Sequence, residues 1–118
     1  IAVTAQGDDL TSEVDIRFGR TRNIIIYDTH SNDFQVHDNS VNLNATQGAG
    51  IQTAQNIANL GAEAMITCNL GPNAFKTLKA ADIKVYLCDK TTVQHALEMF
   101  QQNKLEEMTE ANVEGHCI

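Results

Sequence analysis

The chain has 118 residues, 42% of them hydrophobic, and 15 acidic residues against eight Lys and Arg give it a formal net charge of −7. That length suits one domain with one packed core, and the acidic balance repels nucleic acid and anionic membranes on average. The longest apolar runs, such as Ile24–Tyr27, fall far short of the roughly 20 residues that cross a bilayer; with no basic-then-apolar leader before the first strand, a cytoplasmic address is expected.

In chain order, Ile1–Gln6 is rich in strand formers and stops at Gly7-Asp8-Asp9. A long polar connection, Gly7 to Arg22, follows, and connections of that length are often functional or hide a short helix; a helical turn is expected between Ser12 and Phe18. Arg22–Asp28 is a second strand, His30–Asp33 a turn, and Phe34–Asp38 an alternating third strand, which together predict an antiparallel hairpin. After the Asn-rich segment 39–47, Gly48-Ala49-Gly50 opens a helix whose apolar face is Ile51, Ala54, Ile57 and Ala58, with Gly61 as its stop. Ala64–Thr67 is a short buried strand. Gly71-Pro72-Asn73-Ala74 starts a second helix, Ile83–Leu87 is another strand, and Thr91–Phe100 is a third helix with a threonine cap.

The expected architecture is α/β, a mixed five-stranded sheet with helices in the order β-β-β-α-β-α-β-α. One domain covers 1–105 and an acidic tail covers 106–118. Helical crossovers make the first, fourth and fifth strands parallel, with the hairpin antiparallel at one side. The ends of strands one, three, four and five, and the starts of all three helices, then gather on one edge.

Helix N-termini carry unpaired amide donors, and ligands of open α/β sheets sit beyond the carboxyl ends of strands, so an anion belongs at this edge. Gly48 with Gly50, and Gly71 with Asn73, leave room for a ligand to approach the backbone, although glycine is common at helix starts and neither segment is a phosphate-binding Gly-Lys-Ser/Thr loop. All three arginines, Arg17, Arg20 and Arg22, lie within six positions. The segment Asp15-Ile16-Arg17-Phe18-Gly19-Arg20 places permanent charge in the connection leaving strand one; the plainer alternative is a loop anchored by Phe18 with surface ion pairs. Cys68 and Cys88 follow strands four and five and are either soft-metal ligands or small buried hydrophobes. With Cys117 they form neither a CxxC pair nor an even set, which disfavours a disulfide framework and fits a reducing compartment. His95, one turn into the third helix, is a further candidate; His30 and His37 lie in the hairpin, and His116-Cys117 in the tail is a weaker metal-binding pair. No nucleophile–base–orienter set is recognisable.

The Ile-Ala-Val-Thr start, Val14–Arg20, Gly48-Ala49-Gly50, Gly71–Phe75 and Ile83–Tyr86 together resemble the dinitrogenase iron–molybdenum cofactor biosynthesis family over nearly the whole chain. That family includes NifX-like carriers, the C-terminal region of NifB-like proteins and the orange protein of sulfate-reducing bacteria. The resemblance implies a ribonuclease-H-like fold without nuclease residues, in two or three layers. It also implies a non-enzymatic role in binding, storing or delivering a metal–sulfur cluster, of molybdenum–copper or iron–molybdenum type. Carried over residue by residue, the implied site is Arg17, Phe18, Gly19, Arg20, Gly48, Gly50, Gly71 and Asn73. An alternative is an assembly or regulatory adaptor that meets a protein partner, an ATPase or cell-division factor, through the same edge; an enzyme acting on a phosphorylated metabolite is a third.

Overall fold

The computed structural model describes residues 1–39 and 49–109. Its strands are β1 (Ala2–Ala5), β2 (Asn23–Tyr27), β3 (Phe34–Asp38), β4 (Ala64–Thr67), β5 (Lys84–Leu87) and β6 (Glu106–Glu107), and its helices are α1 (Ala49–Asn59), α2 (Pro72–Ala80) and α3 (Val93–Gln101). They form one mixed sheet in the order β3-β2-β1-β4-β5-β6. β4 runs parallel to β1 and to β5, while β2 is antiparallel to β1 and β3. The expected parallel core and antiparallel hairpin are therefore present.

The sheet has six strands rather than the expected five, because β6 pairs antiparallel with β5 through Tyr86↔Glu107 and Leu87↔Glu106. Two exposed glutamates read from sequence as the start of a solvated tail. What holds them is backbone pairing plus the next residue, Met108, which is buried and donates its amide to the Val85 carbonyl at 2.7 Å.

Side-chain alternation along the strands splits the core in two. Ala2, Ile24, Met65 and Val85 point to one face, where they meet Ala54 and Ile57 of α1 and Ala74 and Leu78 of α2. Val3, Ala5, Ile25 and Ile66 point to the other, beneath Val93, Ala96 and Leu97 of α3. Covered on both faces, β1 and β4 are buried at every residue, whereas edge strand β3 is exposed or half-buried throughout. Gly61, with φ of 81°, supplies the left-handed step just beyond α1, as expected of a helix stop.

The connection from β1 to β2 contains no helix; the expected turn between Ser12 and Phe18 is replaced by isolated bridges Ala5↔Val14, Glu13↔Thr92 and Arg17↔Asn69. The backbone groups that a helix would pair locally go instead to distant partners, as in Val14 N–H to the Thr91 carbonyl at 2.8 Å and Asp15 N–H to the Thr4 carbonyl at 2.9 Å. The connection is thereby stitched across the carboxyl ends of β1 and β4 and the start of α3. Among the described residues no helix is long and apolar enough to cross a membrane.

Candidate functional site

Asp15 organises the loop that carries the arginines. Its side chain is 1% exposed, and its two oxygens accept four hydrogen bonds. Oδ1 takes Arg17 N–H at 3.0 Å and Arg17 Nε at 3.1 Å; Oδ2 takes Arg17 Nη2 at 3.2 Å and Arg22 N–H at 3.2 Å. One carboxylate thus ties together both ends of the segment 17–22. These hydrogen bonds, followed by the carboxylate's charge, raise the Arg17 pKa above its ordinary value and keep the guanidinium charged.

From that anchor the loop lies flush against α1. A Cβ placed on Gly19 would sit 2.7 Å from the Gly50 nitrogen and 2.9 Å from its Cα, so only glycine allows this backbone-on-backbone contact. Thr53, buried on α1, donates to the Gly19 carbonyl at 2.9 Å and accepts from Asn39 Nδ2 at 3.1 Å; Asn39 Nδ2 also reaches the Thr21 carbonyl at 3.0 Å. Gly50 in turn faces Ala74 in the first turn of α2, where a Cβ on Gly50 would come 3.3 Å from that of Ala74. Loop, α1 and α2 are thus layered side by side, with Phe18 buried beneath in the cluster that includes Ala54, Ala74 and Leu78.

The three helix starts are not equivalent. At α3 the first amides are already spent on the chain itself. Val93 N–H donates to the Ser12 carbonyl at 2.8 Å, Gln94 N–H to the Leu10 carbonyl at 2.8 Å, and His95 N–H to Thr92 Oγ1 at 3.2 Å. The expectation that all three starts face an anion is corrected at α3, because the stitched loop supplies the acceptors. At α2 the N-cap is Gly71, which has no side chain to cap with, and Pro72 has no N–H, so the amides of Asn73 and Ala74 lead the helix without a side-chain cap. Gly71 is exposed, and a Cβ there would meet no atom of another described residue within 4 Å beyond its chain neighbours.

The remaining candidates lie elsewhere. Cys68 and Cys88 are buried on the α3 face of the sheet among Ile66, Val93 and Ala96, with their Sγ atoms 3.9 Å apart; Cys68 is disulfide-bonded, contrary to the expectation from cysteine count, and so offers no thiolate. Burial first, and then the charge of Asp89, pushes the Cys88 thiol up to about 12, so it is a poor source of thiolate at neutral pH. Cys88 also lines a cavity of about 270 Å³ with Met99 and Lys104. His95 is exposed on α3, its Nδ1 at 4.0 Å from Glu98. The structure thus brings together Arg17, Phe18, Gly19, Gly50 and the first turn of α2, where Asn73 is exposed, and sets Cys68, Cys88 and His95 on the α3 side. Arg20 is half-buried beside Gly19; Gly48, His116 and Cys117 lie outside the described residues. No group of three or more His, Cys, Asp or Glu side chains able to hold a metal ion occurs among the described residues.

Sequence reasoning missed Asn69. It bridges Arg17, its Nδ2 donates to the Ile16 carbonyl at 3.0 Å, and its buried Oδ1 has no hydrogen-bond partner among the described residues. An isolated Asn after a strand carries no pattern that marks it. An orphaned buried acceptor two residues from Gly71 calls for a donor, such as a bound water. Thr53 and Asn39 were equally silent, since each matters only through contacts with residues far away in the chain.

Comparison with known proteins places the chain in a family and finds its fold in solved structures. A family described as dinitrogenase iron-molybdenum cofactor matches residues 1–103. The apo form of the orange protein from Desulfovibrio gigas superposes with a TM-score of 0.91 at 36% identity, covering 94% of this chain and 93% of that one. The solution structure of a putative NifB protein from Thermotoga superposes with a TM-score of 0.84 at 41% identity, covering 97% of each chain. An uncharacterised protein of Methanocaldococcus jannaschii is 30% identical over 92 residues, 75% of this chain and 77% of its own length.

Proposed function

Because this chain belongs to the dinitrogenase iron-molybdenum cofactor family, we propose that it binds an anionic metal–sulfur cluster, as a carrier or store rather than a catalyst, where the arginine loop meets α1 and α2. The observation that carries this reading is the Gly19–Gly50 contact, which docks the arginine-bearing loop on the first turn of α1, itself packed against Ala74 in the first turn of α2, on a molecule that is otherwise acidic. The residues fit such a ligand. Sulfide-rich anions are large and weakly basic, so they suit dispersed N–H donors and an apolar floor; the uncapped amides of α2, the Arg17 guanidinium and the buried Phe18 supply these. Gly71 leaves the approach open. A cluster held this way needs no thiolate from the chain, consistent with Cys68 and Cys88 lying on the opposite face of the sheet.

A molybdenum–copper sulfide is the cargo we favour, with a cluster of iron–molybdenum type, the cofactor that the family's description names, as the alternative. Anaerobic titration with tetrathiomolybdate and Cu(I) tests the proposal. A saturable charge-transfer band in the visible, abolished in the Arg17→Ala/Arg20→Ala double variant, is expected. A colourless, metal-free protein after reconstitution would overturn it.

A further inference from the structure

Resting on that binding reading, we infer that Asp15 is a positioning residue that turns Arg17 into a rigid two-pronged donor, so that the ligand is recognised by the geometry of the guanidinium and not by its charge alone. An arginine has five N–H donors in one plane. Asp15 takes two of them side-on, through Nε and Nη2, which sets the guanidinium plane and leaves the Nη1–Nη2 edge pointing away from the carboxylate. The Arg17 side chain is 56% exposed, so that edge reaches solvent. Its backbone is placed as firmly: its own amide is bound to Asp15 Oδ1, and it forms a bridge with Asn69. Two residues on, Gly19 is pressed onto Gly50. That edge is therefore held by a frame that includes the segment just past β4, the loop and α1, on the side of the molecule where α2 starts.

The pairing also changes what kind of recognition is possible. Arg17 and Asp15 together are close to neutral when seen from a distance, on a chain with a formal charge of −7. Long-range attraction from this arginine is weak, and its contribution is directional at short range. A fork of parallel N–H groups matches two atoms of a tetrahedral or edge-sharing anion at once, whereas a lysine ammonium is a point charge that cannot bond Asp15 side-on and present such an edge.

The test combines nuclear magnetic resonance of the Arg17 Nε–H with anaerobic tetrathiomolybdate titrations of the wild type, Asp15→Asn, Arg17→Lys, Arg17→Gln and the Asp15→Asn/Arg17→Gln double variant. In the wild type the Arg17 Nε–H exchanges slowly with water, and in Asp15→Asn it exchanges fast. Arg17→Lys, although it keeps the charge, binds about tenfold more weakly or worse, close to Arg17→Gln. Asp15→Asn weakens binding in the wild-type background yet changes Arg17→Gln by no more than about twofold, because the carboxylate acts through the arginine. A wild-type Nε–H in fast exchange, an Arg17→Lys variant that binds like the wild type, or additive losses in the double variant would each overturn the inference. Should Asp15→Asn fail to fold, the Nε–H and Arg17→Lys results decide alone. Absence of any tetrathiomolybdate binding by the wild type would sink the binding reading, while the Nε–H exchange would still decide whether Asp15 fixes Arg17.

Discussion

Gly19 and Gly71 are both glycines beside the proposed site, yet the structure assigns them opposite sensitivities. A methyl on Gly19 meets backbone atoms of Ala49 and Gly50, which cannot swing aside as a side chain would. Gly19→Ala is expected to cost about 1–3 kcal/mol of stability, measured by urea unfolding, and to weaken cluster binding by displacing the arginine loop. A methyl on Gly71 meets open space, and its φ of −76° suits any residue, so Gly71→Ala should cost about 1 kcal/mol or less. It should nonetheless impair reconstitution, because the added group occupies the ligand's approach. Cys88 carries a third prediction at this scale. An ordinary cysteine ionises near 9.0, whereas the folded Cys88 holds its proton to about 12. Above the lower value the unfolded chain has lost a proton that the folded chain retains, so folding stability falls as pH rises, by up to about 1.4 kcal/mol per pH unit. Unfolding at pH 8 and pH 10 should show a smaller decline for Cys88→Ala than for the wild type; identical declines would mean that the thiol is not held protonated.

At the scale of elements, β6 is the addition that merits a direct test. Met108→Ala removes a buried side chain from the cluster beneath α2 and loosens the backbone that pairs with Val85. A loss of about 2–5 kcal/mol is expected, and a loss below about 0.5 kcal/mol would make β6 incidental. Elements with strong local signals were legible from sequence: α2 from Gly71-Pro72, α3 from its Thr92 cap, β4 from four consecutive buried residues. β6 was not, because its two exposed glutamates carry no apolar alternation and are held by backbone pairing and by the single buried Met108 that follows them. The first connection was misread for a related reason. Ser12–Phe18 has a composition compatible with a helical turn, but Val14 and Asp15 bond to Thr91 and Thr4, and Arg17 bridges Asn69. Those partners exist only once the sheet has formed. The site shows the same division. The Arg17–Arg20 segment and the glycine-led starts stand out in the chain, whereas the occupied start of α3, the orphaned Asn69 Oδ1 and the Thr53–Asn39 support depend on tertiary contacts.

Across the whole molecule, the two faces of the sheet divide the chemistry. The α1 and α2 side offers N–H donors, a permanent cation and an apolar floor; the α3 side holds two sulfurs, buried and packed against the helix that the first loop caps. The account's central claim is that a metal–sulfur anion is received on the first side. Backbone amide shift mapping of the isotopically labelled protein, before and after anaerobic loading with tetrathiomolybdate and Cu(I), tests it most directly. Perturbations centred on Arg17, Gly19, Arg20, Gly50, Asn73 and Ala74 are predicted, with the interior of α3 unchanged. Perturbations confined to Cys88, Met99 and their neighbours around the α3-side cavity, or none at all, would contradict it.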